Sequence, residues 1–282
     1  MKPKKHRGEW AAPAAEEPGA SEAGAASVSE NAEAVGGLNA VLAALKARPL
    51  ACRAVLAAEG RHYNQSFSEI MRLARENRLP LKFSPRQALD RLYGRQHHQG
   101  VVAVFDARPH TAFDDFLAVL PPAGPALALA LDQVEDPGNL GALMRSALAF
   151  GALGVITPRE RAAALTPAAL AASAGAAEFL PRVRVVNLAR ALAALKERGF
   201  WVVGAEEDER SSLFERELPE RTVLVMGSEG RGLGSAARKV CDLFVSIPQD
   251  RGRVQSLNVS AAGAIIMCEH FRRFGQAAKF MV

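Results

Sequence analysis

The chain has 282 residues, 49% of them apolar, and a formal net charge of +5. That is enough for two domains of ordinary size and a sizeable core. No apolar run approaches the roughly 18 residues of a membrane span. Cys52, Cys241 and Cys268 are odd in number and lack CxxC spacing, which excludes a disulfide framework, argues against zinc and fits a reducing compartment.

Residues 1–35 are rich in Ala, Glu, Gly and Ser, with almost no large apolar side chain. Such a segment cannot bury enough surface to offset its ordering entropy and is expected to be a disordered tail. It begins with basic residues but no apolar core follows, so it does not read as a secretory signal. A cytoplasmic location is the expectation. From Leu38 the pattern changes. Leu38, Val41, Leu42 and Leu45 fall at helical spacing, ending near Arg48-Pro49. Residues 54–60 read as a strand and turn. Phe67, Ile70, Met71 and Ala74 mark a second helix, and Ser84-Pro85 looks like the cap and first turn of a third. Residues 100–105 are a β-branched strand.

Residues 107–125 read as a linker with one short helix around 112–119, because Pro and Gly recur through the stretch. Strands and helices then alternate. Strands are expected at 127–132, 153–156, 182–186, 201–204, 223–226 and 243–247, and helices at 139–150, 167–173, 188–198 and 257–273. Alternating βα units predict a mostly parallel sheet covered on both faces. The charge divides along the same boundary. Residues 38–109 are net +7, whereas residues 110–282 are net 0. A basic unit beside a neutral one suggests a polyanion docking on the first while chemistry occurs on the second.

Three segments carry the chemistry: DPGNLGALMRSALAFG at 136–151, VLVMGSEGRGLG at 223–234 and IPQDRGRVQSLNVSAAGA at 247–264. In the first, Asn139 opens a helix and Arg145 follows six residues later, roughly 120° around the axis. A helix N-terminus favours phosphate, and Arg is its natural bidentate partner. Alone, Asn139 reads as a cap and Arg145 as a surface charge; beside the other two segments both read as site residues. In the second, glycines let backbone groups approach a ligand closely, and Glu229 is the one acid in the loop. The spacing does not match a dinucleotide fingerprint. In the third, Ser256 or Asn258 caps a helix whose small and apolar residues suit close packing. His97 and His98 are adjacent, so on a strand they point to opposite faces and do not share a metal. No other His, Cys or carboxylate cluster suggests one.

Together the three segments resemble the motifs of the SpoU family of RNA ribose 2′-O-methyltransferases, a branch of the SPOUT superfamily. The resemblance spans residues 36–274 and is nearest to the 23S rRNA guanosine branch. It implies an α/β fold with a C-terminal SPOUT domain at 126–282, knotted as a trefoil and paired as a homodimer. At 36–106 it implies a small ribosomal-protein-like RNA-binding domain, signed here by HHQGVVAV at 97–104. The implied cofactor is S-adenosylmethionine and the implied partner is rRNA, with no metal and no membrane. The implied catalytic residues are Asn139, Arg145, Glu229, Ser256 and Asn258, with Glu229 holding the arrangement by pairing with Arg145. The implied cofactor-binding residues are Met226, Gly227, Gly230, Ile247 and Leu257. The family loop usually carries Met-Gly and a second Ser; here it reads Gln249-Asp250-Arg251-Gly252-Arg253 with Gln255 before Ser256. That departure bears on substrate more than on cofactor. A tRNA substrate, an rRNA adenosine modified for self-resistance, and a non-catalytic assembly factor stand as alternatives.

Overall fold

The computed structural model describes residues 32–60, 64–93, 98–108, 110–207, 212–250 and 256–275. The N-terminal unit runs β1 (Ala32–Gly36), α1 (Leu38–Ala47), β2 (Cys52–Ala58), α2 (Gln65–Glu76), β3 (Leu81–Ser84), α3 (Arg86–Tyr93) and β4 (Val101–Asp106). Its sheet order is β1-β4-β2-β3, with β4 antiparallel to both neighbours and β2 parallel to β3. Phe67, Ile70 and Ala74 of α2 are buried, as their spacing requires, and Asn64 caps that helix by accepting from the Phe67 amide.

This unit departs from the sequence pattern in two places. Composition assigns residues 32–35 to the tail of residues 1–35, but together with Gly36 they form β1, an edge strand on β4. Its small side chains carry no periodic signal, yet pairing with β4 satisfies its backbone. β3 is the second departure; it is short and mostly exposed, so it lacks strand alternation. Residues 1–31 lie outside the described residues.

The second unit contains α4 (Phe113–Ala118), β5 (Ala126–Leu131), α5 (Pro137–Ala149), β6 (Val155–Pro158), α6 (Pro167–Ser173), β7 (Arg182–Val185), α7 (Leu188–Lys196), β8 (Trp201–Ala205), β9 (Arg221–Met226), α8 (Ser235–Arg238), β10 (Leu243–Val245) and α9 (Val259–Phe274). Every pairing in its six-stranded sheet is parallel, in the order β10-β8-β9-β5-β6-β7. β5 is buried at all six positions, as a central parallel strand must be. Its leucines face the core under α5, and its alanines face the core under α7. The chain leaves β5 toward β6 and β7, but leaves β9 toward β10 on the far edge. β5 and β9 therefore flank a topological switch point, where a crevice opens beyond the carboxyl ends of the strands.

The two units share one apolar core, running from Val35 and Leu45 to Leu129 and Leu143. A charged joint reinforces it. Glu178, with its side chain 1% exposed, accepts from Arg48 Nε at 3.0 Å and Arg108 Nη2 at 2.8 Å, and both arginines also meet Glu33. No helix among the described residues is long and apolar enough to cross a membrane.

α5 and α6 meet at Gly141, where an added Cβ would collide with the Ala169 carbonyl and lie 2.7 Å from Ala172 Cβ. Gly141→Ala should therefore lower unfolding free energy by about 1–3 kcal/mol. Urea titration checks this, and an unchanged midpoint would contradict the packing described.

Candidate active site

The carboxyl ends of β5 and β9 deliver two loops to one place. Asp132, buried at the end of β5, accepts from the Gly234 amide through Oδ2 at 2.7 Å and so ties the two loops together. Asp136 then caps α5, its Oδ2 accepting from the Asn139 amide at 2.7 Å, with Pro137 in the first turn. The sequence pattern has Asn139 opening the helix. Asp136 caps it instead, so the Asn139 side chain is released from capping and points into the crevice.

There the Asn139 Nδ2 donates to Glu229 Oε1 at 2.9 Å. Asn258 Nδ2 donates to the same Glu229 oxygen at 2.7 Å and to Asn139 Oδ1 at 2.9 Å. Asn258 also caps α9, its Oδ1 accepting from the Ser260 amide at 2.8 Å and the Ser260 hydroxyl at 2.5 Å. One network thus joins the N-termini of α5 and α9 to the loop after β9. Its anionic oxygen receives two amide donors, the stronger charge-assisted kind of bond. A cavity of about 290 Å³ opens beside it, lined by Gln133, Asp136, Asn139, Ser228, Glu229 and Arg231 among others.

The loop after β9 closes on itself, with Ser228 and Gly232 exchanging backbone bonds of 3.0 Å. Gly227 has no room for a side chain, since a Cβ there would collide with the Gly232 backbone. Gly230, at φ +79°, has open space around it. Met226 is buried at the end of β9, Ile247 packs half-buried on the core just after β10, and Leu257 is 37% exposed before α9. These apolar side chains and the side-chain-free Gly227 backbone thus stand at the end of β9, just after β10 and just before α9.

Two expected site residues, Arg145 and Ser256, stand outside this network. Arg145 is exposed on α5 and has no polar partner among the described residues; no ion pair joins it to Glu229. The expected pairing of Arg145 with Glu229 is not formed; Glu229 Oε1 accepts from the Asn139 and Asn258 amides instead. Ser256 is exposed and makes no hydrogen bond to the network. Residues 251–255, which carry the unusual charged loop, lie outside the described residues. So does His97. His98 is buried, 2.8 Å from Asp90 through Nε2, and accepts from the Gly100 amide, a structural role. Among the described residues no three His, Cys, Asp or Glu side chains gather as a metal site.

Sequence reasoning missed Asp132, Ser260 and the capping role of Asp136. An Asp directly before a helix-opening Pro is a readable cap signal. Asp132 and Ser260 gave none, since their partners lie elsewhere in the fold.

Comparison with known proteins identifies the family. The profile of the SpoU rRNA Methylase family matches residues 126–268, and a profile for RNA 2′-O ribose methyltransferase substrate binding matches residues 34–111. The 23S rRNA (guanosine-2′-O-)-methyltransferase RlmB of Pseudomonas syringae pv. tomato is 39% identical over 244 residues, covering 86% of this chain and 96% of the relative. A putative TrmH family tRNA/rRNA methyltransferase, YacO of Bacillus subtilis, is 39% identical over 73% of this chain and 82% of its own. Among solved structures, the SpoU methyltransferase AviRb from Streptomyces viridochromogenes, in complex with the cofactor AdoMet, superposes with a TM-score of 0.71 at 27% identity. That match covers 86% of this chain and 90% of AviRb.

Asn258→Ala removes the α9 cap and both amide bonds of the network. The expected loss is about 2 kcal/mol in urea unfolding; a loss within a few tenths would show that the network does not bind the two helix ends together.

Proposed function

The chain belongs to the SpoU rRNA methylase family, and from that premise we propose that it methylates the 2′-hydroxyl of a guanosine ribose in 23S rRNA. The observation that carries this is the Asn139–Glu229–Asn258 network at the β5/β9 switch point, next to a glycine loop whose first glycine has no room for a side chain. S-adenosylmethionine supplies a methyl group on a sulfonium that is already a good leaving group. Met226, Gly227, Gly230, Ile247 and Leu257 would hold it, the glycines by close backbone approach and Ile247 and Leu257 by apolar contact.

The chain's own residues then have an alignment task. With that donor bound, transfer would join the ribose O2′ to the methyl carbon with loss of the carbon–sulfur bond, the hydroxyl proton passing to solvent. Asn139, Glu229 and Asn258 fix the mouth of the crevice as one rigid unit. Arg145, exposed and without a polar partner among the described residues, is available to the acceptor nucleotide. Guanidinium stays protonated at ordinary pH, so Arg145 orients the hydroxyl and its neighbouring phosphate and stabilises developing negative charge. Ser256, two residues before the Asn258 cap of α9, would support the polar contacts to the acceptor nucleotide.

The N-terminal unit carries the basic excess and fits the RNA-gripping role, by phosphate and shape, with residues 107–125 as the connection. The reading includes a trefoil knot and a homodimer formed through residues 126–282, and a cytoplasmic setting, where rRNA is made. A tRNA substrate is the second reading, favoured by the similarity to the tRNA/rRNA methyltransferase from Bacillus subtilis.

The decisive experiment is methyl transfer from labelled S-adenosylmethionine to unmodified 23S rRNA and to tRNA, with 2′-O-methyl mapping. One ribose methyl on a 23S guanosine is expected; a tRNA product would replace the substrate, and no product despite cofactor binding would overturn the reading. Arg145→Ala should lower kcat/KM by about 100-fold or more while cofactor affinity stays within a few fold. A large loss of cofactor affinity would mean that Arg145 serves the cofactor and not the acceptor nucleotide.

A further inference from the structure

The buried side-chain polar atoms without a hydrogen-bond partner among the described residues are Arg108 Nε, Thr157 Oγ1, Arg182 Nε and Arg184 Nε. They converge on one place, around the edge strand β7. Val183 and Val185 turn into the core, so Arg182 and Arg184 share the opposite face. In the register of β6 and β7, Arg184 stands beside Thr157 and Arg182 beside Val155. Leaving a buried polar atom unpaired is costly, so four in one neighbourhood call for a missing partner.

That partner is negative. Arg184 Nη2 donates to the Arg159 carbonyl at 2.7 Å, which brings Arg159 to the same spot, and its Nη1 lies 3.5 Å from His110 Nε2. Arg182 has no hydrogen-bond partner for its side chain among the described residues, and Glu33 is the acid whose charge reaches it. Glu33 and Glu178 are already engaged by Arg48 and Arg108. The field is strong enough to act on neighbours. Partial burial and the charges of Arg182, Arg184 and Arg159 hold the His110 ring below its ordinary pKa. Burial, then Arg184 and Arg108, lower that of Arg182.

We propose that Arg159, Arg182, Arg184 and Thr157 form a phosphate-binding site on β7 that takes a backbone phosphate of the RNA substrate. Arg offers bidentate donors for phosphate oxygens, and the Thr157 hydroxyl adds one more. The site lies where the connection from the basic unit reaches the sheet, for Thr111 bridges to Val183 and its amide donates to the Arg182 carbonyl. β7 is two strands from β5, about 10 Å at ordinary strand spacing. An RNA strand held by the basic unit with its acceptor nucleotide in the β5/β9 crevice would have this cluster within two strand spacings of that crevice. The assignment of RNA as the source of the phosphate rests on the methyltransferase reading above.

The test compares the wild-type chain with Arg182→Gln/Arg184→Gln. Removing like charges should leave the fold intact and raise Tm slightly in low-salt, phosphate-free buffer. Affinity for a 23S rRNA fragment should fall by about tenfold at 0.1 M salt, with a log–log salt slope shallower by about one to two, as expected for one or two lost phosphate contacts. Cofactor affinity should stay the same. Inorganic phosphate should raise the Tm of wild type and not of the variant. Equal RNA affinity and slope in the two proteins would overturn the RNA assignment, even if the phosphate effect differed, since the cluster would then hold a free anion. Equal phosphate response would overturn the site itself. A wild-type chain that methylates no RNA would fail the functional reading, while the phosphate titration would still decide whether the cluster holds an anion.

Discussion

The parallel pairing of β5 with β9 is the constraint on which the site depends. Six consecutive residues are in register, from Ala126 beside Arg221 to Leu131 beside Met226. Both strands are almost wholly buried, so a slip of one residue would turn leucine and valine faces to the wrong cores. The register therefore fixes where both loops begin. Asp132 leaves β5 beside Gly227 leaving β9, and the Asp132–Gly234 bond follows. Asn139 and Glu229, 90 residues apart in sequence, meet because of that alignment.

Rigidity at the site comes from helix ends. Asp136 and Asn258 cap α5 and α9, and each cap places a polar side chain at the crevice. In α5 the cap and the site residue are separate: Asp136 takes the amide and frees the Asn139 side chain. In α9 one residue does both, because the Asn258 carbonyl oxygen caps while its amide nitrogen donates to Asn139 and Glu229. The same groups that satisfy orphan helix amides thus align the polar mouth of the site.

Charge is organised at two levels. Glu178 sits between Arg48 of the basic unit and Arg108 of the connection, so the joint between units is a compensated cluster. Around β7 the arginines outnumber the acids that reach them, and Arg159, Arg182 and Arg184 have no ion-pair partner among the described residues. A compensated cluster holds parts together; an uncompensated one is kept ready for an anion. The two lie side by side because Arg108 belongs to both neighbourhoods.

Much of the architecture is legible in the residues. The alternation of strands and helices after residue 126, the parallel sheet, and most helix positions follow from hydrophobic period and local caps, which act over a few residues. The glycines of 227–234 and the polar residues Asn139, Glu229 and Asn258 are legible too, since their types suit a ligand loop. What sequence could not decide was partnership. It paired Glu229 with Arg145, whereas the fold gives Glu229 to Asn139 and Asn258. It assigned residues 32–35 to a tail, whereas β4 recruits them as an edge strand. It gave no hint that Arg182 and Arg184, spaced two apart on an edge strand, would share a face with Thr157 and leave their Nε donors unpaired. Local pattern determines what each segment becomes, because propensity and burial period are properties of neighbouring residues. Strand order and register decide which distant side chains meet, because those contacts exist only after the sheet has closed.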